Sequence, residues 1–129
     1  MNPLTLEWIE KAEGDFVTAG RELRARNAPN FDASCFHAQQ MAEKYLKAVL
    51  QENNQPIPRT HNLIDLLAQC LTIEASFNFI RSDLIQLDRF AVRFRYPGEK
   101  AERQEAKTAY RSAQVARQFI RTRLGLSEK

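Results

Sequence analysis

The sequence predicts an all-α fold, an up-and-down four-helix bundle with an additional short helix, and three observations predict it. Five stretches repeat apolar residues at steps of three and four, none alternates as a half-buried strand would, and the breaks between them are rich in Asn, Pro and Gly. In the first stretch Leu6, Ile9, Ala12, Phe16, Ala19 and Leu23 share one stripe. Trp8 lies at its margin, and Glu7, Glu10 and Glu13 lie on the outer side, where acidic residues early in a helix favour its dipole. Asn27-Ala28-Pro29-Asn30 breaks this helix, and Asp32 is the expected N-cap of the second.

The second helix has the cleanest stripe: Phe31, Cys35, Ala38, Ala42, Tyr45 or Leu46, and Val49, running through to Gln51. It is expected to lie along the core, although His37, Gln39, Gln40, Glu43, Lys44 and Lys47 make it unusually polar for that place. Asn53, Asn54, Pro56 and Pro58 then oppose helix continuation. A shorter third helix opens near Thr60 to Asn62, with Asn62 and Asp65 at capping-box spacing, and buries Leu63, Leu66, Leu67, Cys70 and Ile73. The fourth carries Phe77, Ile80, Leu84, Leu87, Ala91 and Phe94 and ends at Pro97-Gly98. The last is expected from Glu99 to Leu124, with Glu99 and Glu102 in its first turn and Gly125 as its stop. Its seam of Ala106, Ala109, Ala113, Ala116 and Ile120 invites close approach of a neighbouring helix. Short connections predict that consecutive helices run antiparallel.

One domain over residues 1–129 is expected, since a chain of 129 residues with 43% hydrophobic content can bury a core without staples. Cys35 and Cys70 read as small buried residues in a reducing compartment. No apolar run is long enough for a membrane span, and the acidic residues early in the chain fit neither a signal nor a transit peptide, so the expected location is the cytoplasm. Charge is uneven: residues 1–80 hold seven Lys/Arg against ten Asp/Glu, and residues 81–129 hold twelve against six. The basic half reads either as a solvated, internally paired helix surface or as a face for phosphate or an acidic partner.

Several chemistries are excluded by what is missing. There is no Glu-x-x-His pair for a metal-binding bundle and no glycine-rich phosphate loop, so neither metal nor cofactor is expected. Cys35 and His37 point to different helix faces, and Cys70 would lie about 14 Å from His61 along a continuous helix, so no cysteine nucleophile has a base. Two local clusters carry alternative readings. Arg59-Thr60-His61 at a helix start is either capping with an exposed His or an anion site. Arg93-Phe94-Arg95-Tyr96-Pro97 either complements a helix dipole or binds phosphate and stacks a base.

Together these signatures resemble the HEPN family. The resemblance spans nearly the whole chain and is carried by Trp8 and Asp15, by the run Phe36-His37-Ala38-Gln39-Gln40-Met41-Ala42-Glu43-Lys44-Tyr45-Leu46-Lys47-Ala48, by Arg59-Thr60-His61-Asn62-Leu63, and by Arg95-Tyr96-Pro97. It implies a bundle that is often dimeric and commonly encoded beside a minimal nucleotidyltransferase, in a pair resembling a toxin and antitoxin. Many HEPN proteins are metal-independent ribonucleases with an Arg followed, after four to six residues, by a His. This sequence departs from that pattern. Ahead of His37 the required positions hold Asn30, Phe31 and Asp32, and ahead of His61 they hold Asn54, Gln55 and Pro56. Arg89, Arg93 and Arg95 have no His after them, so acid–base cleavage lacks its usual proton carrier.

The expected function is therefore a non-catalytic binding module that presents a nucleotide or anion surface and partners a minimal nucleotidyltransferase. The expected surface comprises Gln40, Glu43, Lys44, Lys47, Arg59, His61, Arg95 and Tyr96. In this reading Lys47, Arg59 and Arg95 meet phosphate, Tyr96 stacks on a base, and Glu43 orients a cation or accepts a hydrogen bond. Glu43 and Lys44 alternatively serve a homodimer interface. An atypical ribonuclease toxin without the usual Arg/His motif is the competing reading.

Overall fold

A computed structural model of the chain describes residues 1–90 and 96–126. Its helices are α1 (Pro3–Arg24), α2 (Phe31–Glu52), α3 (Leu63–Ile73), α4 (Arg81–Asp88) and α5 (Arg103–Arg123), with a 3-10 segment, Ala75–Ile80, leading into α4. The fold class is the one the periodicity predicts, a helical bundle with an extra helix.

Side-chain chemistry sets the helix ends. Asn2 accepts from the Leu4 amide at 2.8 Å and Pro3 takes the first helical position, where a missing N–H costs nothing. Asn30, not Asp32, caps α2, accepting from Ala33 N at 2.9 Å. Asp32 lies two residues further on, in the first turn of α2, and accepts from Ala101 N at 2.6 Å, which ties the chain before α5 to the start of α2. Asn62 caps α3 as expected, through Ile64 N and Asp65 N. The last helix starts four residues later than expected, because Glu102 and Glu105 close a reciprocal capping box there. It ends as expected at Gly125, whose φ of 77° allows Leu126 N to reach the Arg121 carbonyl at 2.8 Å. In the fourth stretch Phe77 and Ile80 are buried from the 3-10 segment rather than from α4, and Ala91 and Phe94 lie outside the described residues.

Cross-helix bonds fix the direction of each helix. Asn2 N bonds Glu52, Asp15 meets Lys44, and the Ser34 hydroxyl donates to the Ala19 carbonyl, so α1 and α2 are antiparallel. Phe79 stacks on Phe119 while Asp83 bonds Ser112, which makes α4 and α5 antiparallel too. The connection between α2 and α3 departs from expectation. Gln39 bonds the His61 carbonyl, Cys70 bonds the Leu46 carbonyl, and Val49 and Ile73 line one recess, so α3 runs alongside α2 in the same direction. The segment 53–62 must return roughly 20 Å along α2, and Pro56 and Pro58 suit the extended chain that does this. The alternating bundle is thus formed by α1, α2, α4 and α5, with α3 as the additional short helix.

One contiguous apolar core joins all five helices, with Met41, Tyr45, Leu46, Leu50, Leu66, Leu67, Ile80, Leu84 and Leu87 among its fully buried members. The whole seam of α5, Ala106, Ala109, Ala113, Ala116 and Ile120, is buried. No helix among the described residues is long and apolar enough to cross a membrane.

Candidate functional site

The polar positions of α2 are resolved by three clusters, each built around a carboxylate, of which Glu43 and Asp15 are buried and Glu13 partly so. The first centres on Glu43, which is 4% exposed. Lys47, one turn further along the same face, places Nζ 3.0 Å from Oε2. His61 Nδ1 lies 3.1 Å from Oε1, and Gln40 Nε2 donates to the same oxygen at 3.4 Å. Buried Gln39 donates to the His61 carbonyl at 3.0 Å and accepts from Gln40 at 2.8 Å. Backbone and ring of His61 are therefore both pinned to α2. Because a carboxylate only accepts, Nδ1 carries the proton, and Nε2 is left on a side chain that is 76% exposed. Lys47 is itself only 6% exposed, and its ammonium lies 5.7 Å from the centre of the Trp8 ring.

The second cluster lies where α1 crosses the same helix. Asp15 meets His37 Nδ1 at 2.8 Å and Lys44 Nζ at 2.5 Å. The third ties α1, α2 and α5 together. Arg117 donates to both oxygens of Glu13 at 2.7 and 2.8 Å, the Tyr45 hydroxyl donates to Glu13, and Arg121 donates to the Tyr45 hydroxyl at 3.0 Å. Burial alone would raise the Glu13 carboxyl, but the bonds from Arg117 and Tyr45 and the guanidinium charges hold it below its ordinary range. Burial, with Glu13 beside it, pushes the Tyr45 phenol up to about 12. Glu13 is thus an interhelical anchor and not the solvent-side residue that its position suggests.

Of the expected surface, Gln40, Glu43, Lys47 and His61 come together, and Lys44 joins Asp15 on the neighbouring face. Arg59 is exposed in the segment leading to His61. Tyr96 is 69% exposed and is not bonded to the Glu43 cluster, while Arg95 lies outside the described residues. Asp88 accepts from Leu63 N at 2.7 Å, which sets the end of α4 beside the start of α3. Sequence reasoning missed Gln39, Asp15, His37 and the Glu13 network as a connected system. Their signal was faint: His37 and Lys44 share a face at a spacing of seven, but their common partner sits on another helix.

Both cysteines are buried. Burial pushes the Cys70 thiol up to about 12, far from a usable nucleophile. Among the described residues no group of three or more His, Cys, Asp or Glu side chains is arranged to hold a metal.

These features define a class: an all-helical bundle whose polar helix is neutralised from within by carboxylates of its own and of its neighbour. The chain belongs to the HEPN family, whose domain model matches residues 5–123. It is also similar in fold to TT1696 from Thermus thermophilus, a crystal structure with 23% sequence identity, a TM-score of 0.73, and coverage of 92% of this chain and 96% of that one. No curated protein matches it.

Proposed function

We propose that residues 1–129 act as a single non-catalytic HEPN binding module, homodimeric and cytoplasmic, that pairs with a minimal nucleotidyltransferase in a toxin–antitoxin-like system and offers it a nucleotide-binding surface. That surface comprises Gln40, Glu43, Lys44, Lys47, Arg59, His61, Arg95 and Tyr96. The observation that carries the reading is the saturation of Glu43. Lys47, His61 and Gln40 satisfy a buried carboxylate and fix a rigid polar face. Rigid, pre-formed polar faces suit recognition, because little ordering entropy remains to be lost on binding. Arg59, Tyr96 and the outer edge of His61 are exposed to solvent, and Gln40 and Lys44 are partly so.

A second reading has one observation in its favour. Glu43 orients His61 as a general base would be oriented, with Nε2 outward and Arg59 two residues away, which is compatible with an atypical ribonuclease. Calorimetric titration against the product of the neighbouring gene, a minimal nucleotidyltransferase in the proposed reading, separates the two. The pairing reading expects tight association at one subunit to one and little sensitivity to salt. Single-stranded RNA held by about four phosphate contacts would instead lose roughly 50-fold in affinity between 50 and 200 mM salt.

A further inference from the structure

Lys44 and Lys47 are the cations that the motif helix offers a ligand, yet each already faces a carboxylate of this chain. The unspent charges nearby belong to α1. Beside the Glu43 cluster an open groove of about 270 Å³ is lined by Leu4, Glu7, Trp8, Lys11 and Gln51. Its centrepiece is the only tryptophan of the chain. Gln51 Oε1 accepts from the indole N–H at 3.4 Å, and the Lys47 ammonium stands over the ring. Lys47 is buried and takes no part in the groove wall, which the half-buried Trp8 ring shares with Leu4 and Gln51. The ring is held at its edge and on one side before any ligand arrives. Leu4, 53% exposed, adds a second apolar wall. Glu7 and Lys11 are exposed and have no ion-pair partner among the described residues, unlike the carboxylates and lysines of the clusters beneath them.

We infer that this groove is the base-binding half of the nucleotide surface: a nucleobase stacks on the part of the Trp8 ring that lines the groove, against Leu4, and its phosphate meets Lys11. The inference rests on the nucleotide-binding part of the proposed function and moves the stacking role from Tyr96 to Trp8. The volume sits at the small end of ligand sites, which fits a base and sugar better than a whole nucleoside triphosphate. Stacking tolerates any base, because each has a π face, while the Gln51 amide and the Glu7 carboxylate supply a donor and an acceptor at the rim. With one stacking contact and one exposed cation, binding is weak, about millimolar.

Trp8 is also the reporter. Titrating the full chain with AMP should quench its fluorescence saturably, whereas inorganic phosphate and ribose 5-phosphate at the same concentrations should not. Lys11→Glu should weaken AMP by about fivefold to tenfold while leaving quenching by adenosine nearly unchanged. Leu4→Glu, a surface change that leaves the core intact, should abolish both. Calorimetry on the same samples distinguishes the failures. AMP heat without Trp8 quenching, or heat unaffected by Leu4→Glu, would place the nucleotide elsewhere and overturn this site while leaving the nucleotide-binding reading in place. No heat with AMP at millimolar concentration would overturn both.

Discussion

Glu43 and Lys47 form a pair that is more than nine-tenths buried, so neither can be removed alone without leaving a charge out of water. Glu43→Leu is expected to cost about 3–5 kcal/mol in urea denaturation, and adding Lys47→Met should recover much of that loss. A cost of the double variant equal to the sum of the singles would contradict the pairing. Tyr45 makes a prediction about pH. Below pH 10 the phenol is protonated in folded and unfolded chains, and its contribution is intact. From there to its raised value of about 12 only the unfolded chain ionises, so stability falls by about 3 kcal/mol and then levels. Tyr45→Phe should remove this alkaline loss while costing about 1 kcal/mol at neutral pH, through the acceptor that Arg121 loses. Glu13 acts at the other end: its contribution is present above the ordinary carboxylate range and is lost as pH falls through its lowered value.

At the scale of the helix, sequence legibility follows the range of the forces involved. Apolar spacing is local, so most of each described stripe is legible, down to the alanine seam of α5; Leu6 is the exception, 50% exposed while its neighbour Thr5 is buried. Caps were readable where one residue decides them, as Asn62 does for α3. They were misread where two candidates compete: Asn30 and Asp32 stand two apart, and Asp32 is drawn off by Ala101 N. The expected start of α5 falls too early because Glu99–Glu102 and Glu102–Glu105 share the same spacing of three, and it is the second pair that closes the box. Direction of α3 depends on whether the segment 53–62 turns or travels, which no periodicity encodes. Asn62→Ala should destabilise the protein by about 1 kcal/mol. Ala113→Leu, which forces bulk into the seam, should cost about 1–3 kcal/mol or more. Both are read from thermal or urea midpoints, and an unchanged midpoint for Ala113→Leu would mean that the seam is not tightly packed.

For the molecule as a whole, the family and bundle were legible from the ordered run on α2 together with the two later motifs. The arrangement of the candidate site was not. Which charges are buried depends on α1 lying across α2 and on the returning segment laying His61 against Glu43, and both are tertiary facts. Packing turned a list of apparent ligand contacts into three internal charge networks, and it left Arg59, His61 and the Trp8 groove facing outward. In the proposed function this HEPN chain binds rather than cuts. This is tested most directly by incubating the purified protein with single-stranded RNA in the presence of a metal chelator. Intact RNA at every time point is the expected result. Cleavage that disappears in His61→Ala and Arg95→Ala variants, both folded, would contradict it and make the chain a nuclease.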